Sequence, residues 1–410
     1  MGSSTPNGAG ALIAQPHGAL LVEPYSAADA VDLSVVLPTF NEARNIEAVI
    51  ENLSAVLAQL PGVAYEIVIV DDDSPDRTWE LALRQASRAG FSHVRVMRRQ
   101  GERGLATAVI RGWQASRGRI VGVMDADLQH PPAVVARLHA TIAAGATVAV
   151  GSRVVEGGGV SDWSLIRRTV SRTAQLIGLL VLPEVVGRVS DPMSGCFLVR
   201  RSALAGVALN PTGYKILIEV LGRGAVSSIA EVGYVFRERR EGASKVSLRI
   251  YLEYLQHLLR LRTALLLGNT FVRFCIVGTS GVVVDMLILY LLSDPATLHW
   301  GLTRSKAIAA ELALVNNFLI NDAWTFAARI GSDRGPRAKF RRFLKFNAVC
   351  GLGLVLNILI LNVLFNWFGM NRYVANAIAI LTVTIWNYTL NVKLGWRTST
   401  VDGESTELRS

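Results

Sequence analysis

The sequence predicts an α/β domain with a mostly parallel sheet, followed by membrane-crossing helices. Three observations carry this expectation. Strand-length apolar runs alternate with helical apolar stripes through residues 31–245, as helices covering both faces of a sheet require. Three of those runs empty into polar clusters, which places the clusters on one rim of the sheet. Long apolar segments then dominate the chain after residue 268.

Residues 1–30 are rich in Gly, Ala, Ser and Pro and hold no Lys or Arg. Their apolar patches are too short and wrongly flanked for a signal peptide. A disordered tail and a catalytic domain that stays in the cytoplasm are expected. The first strand runs through Leu33 to Pro38, and a helix is expected to open near Asn41. Ile46, Val49, Ile50, Leu53, Val56, Leu57 and Leu60 give that helix its apolar stripe. A second strand, Ile67 to Val70, runs into Asp71-Asp72-Asp73-Ser74-Pro75-Asp76-Arg77-Thr78. A third, Ile120 to Met124, runs into Asp125-Ala126-Asp127-Leu128-Gln129-His130. Alternating carboxylates with an amide oxygen two residues on suit a hard cation such as Mg²⁺ or Mn²⁺. Further strands are expected near Val94–Met97, Thr147–Val150, Cys196–Val199 and Val232–Phe236. Gly157-Gly158-Gly159 lacks the strand and helix of a dinucleotide fingerprint and reads as a mobile loop over the site.

Taken together, Pro38-Thr39-Phe40-Asn41-Glu42, Asp71 to Thr78 and Asp125 to His130 resemble the inverting glycosyltransferases of family 2. Gly151-Ser152-Arg153, Asp191-Pro192-Met193-Ser194-Gly195, Gly213-Tyr214-Lys215 and Arg239-x-x-Gly242-x-Ser244-Lys245 narrow the likeness. With them the chain is similar to the dolichol-phosphate (polyprenyl-phosphate) mannose synthases over about residues 31–260. The resemblance implies a GT-A fold in residues 31–245 and transfer of mannose from GDP-mannose, or another nucleotide sugar, to a dolichyl or polyprenyl phosphate. It implies that Pro38, Phe40, Glu42, Val70 and Asp72 receive the nucleotide. Asp125, Ala126, Asp127 and Gln129 would take the metal and diphosphate, and Lys215, Arg239 and Lys245 would close over the donor. Asp127, Arg153 and Arg167 are the expected catalytic set, the two arginines binding the acceptor phosphate bidentately. An acceptor phosphate is already an anion near neutral pH, with a second pKa of about 6. No general base is therefore expected, and His130 reads as a supporting residue. Phe40 stands where many relatives have Tyr, and Arg77 where Gly is common.

The alternatives are a UDP-glucose-dependent polyprenyl-phosphate glucosyltransferase, or a lipid-linked sugar translocator with a degenerate transferase attached. The intact acidic set argues against degeneracy. A processive polysaccharide synthase would show Gln-x-x-Arg-Trp, and Gln256-His257-Leu258-Leu259-Arg260-Leu261 lacks it.

The 410 residues are 51% hydrophobic with a net charge of +10, and no nucleic-acid motif accompanies that charge. Anionic headgroups and lipid phosphate are the better partners. Cys196, Cys275 and Cys350 are too far apart for a disulfide frame or a zinc site. Trp163 to Leu182 mixes Arg167, Arg168 and Arg172 with apolar residues. Pattern alone leaves a core helix and a membrane-surface helix open, and the resemblance favours the surface. Residues 246–268 predict an amphipathic connector, with Leu248, Tyr251, Leu252, Leu255, Leu258 and Leu259 on one face.

Four spans are expected in residues 269–397, near 271–292, 303–321, 343–365 and 374–395, before a disordered tail at 398–410. The loop with Arg329, Arg334, Arg337, Lys339, Arg341, Arg342 and Lys345 is strongly basic, whereas the other two connections are nearly free of basic residues. Both termini are thus expected in the cytoplasm, in a multi-pass protein of the cell membrane. Asn316-Asn317-Phe318 and Trp386-Asn387-Tyr388 resemble the GtrA-like membrane family. Asp285, Glu311, Asn316, Asn317, Asn357 and Asn387 within the spans suit interhelical hydrogen bonds or a lipid-handling path. An oligomer is compatible with the sequence.

Overall fold

The computed structural model describes residues 12–26, 30–160, 165–237, 248–330 and 334–396, with the side chains of 161–171 and 248–251 outside the description. Two units divide after Thr263. In the first, the elements are β1 (Val31–Thr39), α1 (Ile46–Leu57), β2 (Tyr65–Asp71), α2 (Thr78–Ala86), β3 (Val94–Arg98), α3 (Leu105–Ala115), β4 (Gly118–Val123) and α4 (Ala133–Ala143). There follow β5 (Val148–Ser152), β6 (Gly159–Val160), α5 (Leu165–Val181), α6 (Pro183–Val186), β7 (Phe197–Arg200), α7 (Ile216–Arg223), β8 (Ile229–Gly233), β9 (Val235–Phe236) and α8 (Leu248–Gly268).

Alternation in β1 decides which helices cover which face. Leu33, Val35 and Leu37 pack with Ile67 and Ile69 under α1 and α4. Val36 and Val70 point the other way, against Gly112 of α3, where a Cβ would overlap both. The sheet order is β3-β2-β1-β4-β7-β5-β8. Only β7 runs antiparallel to its neighbours. The predicted strands form with ends shifted by a residue or two, except that the one expected at Val232–Phe236 is divided at Tyr234 between β8 and β9, which belong to different sheets.

Four expectations need correction. Helix α1 begins at Ile46 rather than near Asn41, because Asn41 adopts a left-handed φ of 61° that a helix cannot contain. Residues 12–26 are not a disordered tail. Val22 is fully buried and bridges Ala205, and Leu12 bridges Val96. Arg111 and Gln114 of α3 donate to the carbonyls of Gly18, Ala19 and Leu21, so partners distant in sequence satisfy this segment's backbone. The glycine tract at 157–159 is anchored: Gly159 and Val160 pair with β9, and Gly158 lies against the backbone of Arg153 and Val155. Finally, the predicted apolar face of α8 splits. Tyr254, His257, Leu258 and Leu261 are buried, Leu261 against Gly222 of α7, while Leu252, Leu255 and Leu259 are exposed. One side of the connector is therefore a core helix.

The second unit holds α9 (Thr270–Ser293), α10 (Leu302–Ile320), α11 (Pro336–Asn366) and α12 (Arg372–Leu390). Among the described residues three helices are long and apolar enough to cross a membrane, with mean hydropathies of 2.1, 2.4 and 1.2. The expected span at 303–321 is helical as α10 but is not among them; Arg304, Lys306 and Glu311 lie within it. Lys306 pairs with Asp285 of α9, which answers one of the intramembrane charges.

The helix pairs repeat. Phe274, Val277 and Gly281 are buried on α9, and Phe346, Val349 and Gly353 are buried on α11 at the same spacing. Ser305, Ala309 and Ala313 on α10 match Ala375, Ala379 and Val383 on α12. Gly281 lies against Asn317, and Gly353 against Asn387. Each second helix ends in a π-helical turn, Asn321–Thr325 or Asn391–Gly395. Small residues let the helices approach, and the two asparagines sit where they do so.

Candidate active site

Strands β1, β2 and β4 are parallel neighbours, so their carboxyl ends share one rim. The acidic turn after β2 is mostly scaffold. Asp71 is fully buried and accepts from Thr39 Oγ1 and from Ser74 Oγ and N–H at 2.7–2.8 Å. Ser74 Oγ, Thr78 Oγ1 and Asp76 Oδ2 in turn accept the N–H groups of Asn41, Glu42 and Ala43. The loop carrying Phe40 and Glu42 is thereby fixed, and Arg103 lies over the Phe40 ring at 5.3 Å. Arg77 has φ 62°, a left-handed conformation that glycine adopts without strain.

Two of the expected nucleotide contacts are engaged within the fold. The Val70 side chain is fully buried under α3, so only its backbone remains for a ligand. The Asp72 carboxylate is already held by Arg99 Nε at 2.7 Å and the Gly104 N–H at 2.8 Å, with Arg99 itself fully buried. The signal for this was Arg98-Arg99 at the end of β3, a fourth strand that ends on the same rim. Pro38, Phe40, Glu42, Val70 and Asp72 do not line the cleft beside Asp125 and Asp127.

That cleft, about 230 Å³, is lined by Asp125, Asp127, Gln129, Arg153, Lys215 and Ser194 among others. Asp125 and Asp127 follow β4 and are partly exposed, whereas Ala126 is buried between them. Leu128 takes a left-handed φ of 61°, and the Gln129 N–H donates to Asp127 Oδ1 at 3.1 Å. Gln129 Nε2 donates to the Arg237 carbonyl at 2.9 Å, which leaves Oε1 as the amide's possible ligand atom. Asp125 Oδ1 is buried without a partner. Gly195 is necessary here, since a Cβ would overlap the Asp125 carboxylate. Among the described residues no three His, Cys, Asp or Glu side chains form a metal cage. Asp125, Asp127 and Gln129 nevertheless fit an open hard-cation site, because one buried carboxylate oxygen of Asp125 has no hydrogen-bond partner. His130 is buried, with Nε2 at 3.5 Å from Asp125 Oδ2, and packs between Tyr234 and Phe236.

Across the cleft, Arg153 is not simply poised for a ligand. It grips Asp191 bidentately, Nε to Oδ2 and Nη2 to Oδ1 both at 2.7 Å, and lies over Phe236. Asp191 belongs to the Asp-Pro-Met-Ser-Gly run, so this pair fixes the loop that brings Gly195 against Asp125. Burial alone would raise the Asp191 carboxyl, but the Arg153 hydrogen bonds and charge outweigh it and hold it below the usual range. Lys215 Nζ donates to the Met193 carbonyl at 3.2 Å. Burial, with Arg153 nearby, pulls its ammonium down to about 7. Arg167 lies on α5 with its side chain outside the described residues, and Arg239 and Lys245 are outside them altogether.

The glycosyl transferase family 2 profile matches residues 34–207, and the GtrA/DPMS transmembrane domain profile matches residues 273–396. A dolichol-phosphate mannosyltransferase of Pyrococcus furiosus is 39% identical over 368 residues, covering 89% of this chain and 99% of that one. The chain belongs to glycosyl transferase family 2. More narrowly, it is a glycosyltransferase of the dolichol-phosphate mannose synthase group with a GtrA/DPMS membrane domain, and a membrane protein. A polyprenol monophosphomannose synthase of Mycolicibacterium smegmatis is 35% identical, over 52% of this chain and 80% of that one. Among solved structures, glucosyl-3-phosphoglycerate synthase from Mycobacterium tuberculosis with Mn²⁺ and UDP has 24% identity and a TM-score of 0.42 over 58% of this chain and 79% of that one. The mostly parallel sheet of this family 2 domain is GT-A-like.

Proposed function

We propose that this glycosyltransferase moves mannose from GDP-mannose to a dolichyl or polyprenyl monophosphate, with inversion at the anomeric carbon. The observation that carries the reading is one cleft in which Asp125 and Asp127 face Arg153 and Lys215. Carboxylates and cations around one small volume suit a metal-bound diphosphate leaving group and a phosphate nucleophile together. The near end-to-end match to a dolichol-phosphate mannosyltransferase supports the sugar and the acceptor.

In the proposed displacement an acceptor phosphate oxygen forms a bond to the anomeric carbon as the bond from that carbon to the nucleotide diphosphate breaks. A dianionic acceptor has no proton to lose, so no side chain serves as base. Asp125, Asp127 and Gln129 would hold Mg²⁺ or Mn²⁺, which when bound supplies Lewis-acid charge for the leaving diphosphate. Lys215 would meet that diphosphate, whose charge favours the protonated ammonium. Arg153 orients the Asp191 loop and, with Arg167, would receive the acceptor. Arg239 and Lys245 would close over the donor. Both termini and the catalytic unit would face the cytoplasm, since the basic loop around Arg337 and Arg342 lies on that side by charge.

The test is a donor screen with purified full-length protein and a polyprenyl phosphate. Mannosyl lipid from GDP-mannose is expected. Product only from UDP-glucose would overturn the sugar assignment.

A further inference from the structure

We infer that His257 is a positioning residue for Lys215: it holds the strap from Asn210 to Lys215 against α8 and so sets where the lysine stands in the cleft. The inference rests on the cleft being the donor site. His257 Nδ1 accepts the Thr212 N–H at 2.8 Å, and Arg260, one turn along α8, donates to Thr212 Oγ1 at 2.9 Å. Gly213 follows with φ 78° and lies against Glu253, so the chain turns sharply on the helix surface. Tyr214 and Lys215 then line the cleft, and α7 begins at Ile216.

The start of the strap is pinned through the same group of residues. The Asn210 N–H donates to Glu219 Oε1 at 2.6 Å, and His257 Nε2 stands 3.4 Å from Glu219 Oε2. His257 and Glu219 are buried to 1% and 0% exposure, so neither has water as a substitute partner. Burial, with Arg223 and Arg260 nearby, pulls the His257 imidazole down to about 4. At neutral pH the ring is therefore uncharged, and Nδ1 keeps the lone pair that the Thr212 N–H needs. The other side of α8 exposes Leu252, Leu255 and Leu259, and the chain continues through Gly268 and Asn269 into α9. One stiff helix thus carries an apolar face outside and the lysine strap inside, so how α8 is seated bears on where Lys215 stands.

Two near-isosteres separate positioning from packing. In His257→Asn the side-chain oxygen takes the place of Nδ1 and can still accept from Thr212. In His257→Gln the amide reaches toward Glu219 instead and leaves Thr212 unpaired. In full-length protein, His257→Gln should raise KM for GDP-mannose by about tenfold, the equivalent of one buried hydrogen bond. Its kcat should change less, and residues 211–217 should lose protection in hydrogen-exchange mass spectrometry. His257→Asn should stay within about twofold in KM and keep that protection. Equal losses in both variants, or wild-type behaviour in the glutamine variant, would overturn the inference. Should neither fold, Arg260→Met, at an exposed position, must loosen the same segment in the same direction; unchanged exchange there refutes the tie to α8. Exchange needs no substrate, so it decides the matter even if GDP-mannose is not the donor.

Discussion

Arg153→Ala is the substitution whose consequence the structure fixes most closely. The guanidinium and the Asp191 carboxylate are 13% and 4% exposed and joined by two hydrogen bonds of 2.7 Å, with a third from the Arg153 N–H at 3.1 Å. Removing one partner of such a pair strands the other in a poorly solvated site, which costs about 3–5 kcal/mol. At roughly 2–4 °C per kcal/mol for a domain of this size, the midpoint should fall by about 6–20 °C. The pH dependence has a definite sign. In the wild type the depressed carboxylate contributes stability above its unfolded pKa of about 3.9, lost only as pH falls through the folded value. In the variant, burial raises Asp191, so the deficit should be full at neutral pH and shrink as acid protonates the stranded carboxyl. Adding Asp191→Asn should recover part of the loss, because the stranded charge is then gone. Thermal unfolding of the full chain in detergent between pH 5 and 8 measures all three. A drop under about 2 °C for Arg153→Ala would show a pair that solvent already screens, and would return Arg153 to a ligand-only role.

Asp127→Asn should abolish transfer and its response to added Mg²⁺ or Mn²⁺ while the unfolding midpoint holds; normal turnover in this variant, or in excess chelator, would sink the cation reading. Gly195→Ala should cost at least tenfold in kcat/KM by displacing the Asp125 carboxylate, and unchanged kinetics would mean that the loop gives way freely. Arg77→Gly should raise stability by about 0.5–1 kcal/mol, since glycine relieves the left-handed strain at φ 62° and loses some of the gain to chain entropy. A lowered melting midpoint would contradict that account.

What the sequence made legible depended on distance along the chain. Asp125 and Asp127 could be placed at a strand end because a local apolar run precedes them. The fate of Asp72 could not, because its partner Arg99 arrives at the end of another strand. The same holds for Arg153 and Asp191, both visible as motif residues but paired across 38 positions. Val70 shows a different limit: strand alternation turns its side chain toward α3, and only the registry with β1 reveals which face that is. The helical repeat in the membrane unit was readable in principle, since Phe274-x-x-Val277-x-x-x-Gly281 recurs as Phe346-x-x-Val349-x-x-x-Gly353. Its meaning needed the structure, which sets each glycine against an asparagine of the next helix.

The acidic residues of the rim divide by whether the fold answers them. Asp71 is met by Thr39 and Ser74, Asp72 by Arg99, and Asp191 by Arg153. Asp125 is answered less fully: one of its oxygens is buried without any hydrogen-bond partner, in the cleft that it shares with Asp127. Against them the cleft offers Lys215, weakened as a cation by burial, and Arg153, already neutralised by Asp191. Among the described residues, two carboxylates against these two cations leave the cleft no net positive charge to offer a diphosphate. A divalent cation bound by Asp125 and Asp127 would reverse that balance before any bond is broken. Chelation should then lower donor affinity itself and not turnover alone. Equilibrium binding of GDP with and without chelator checks this, and equal affinity in both would place the neutralising charge elsewhere.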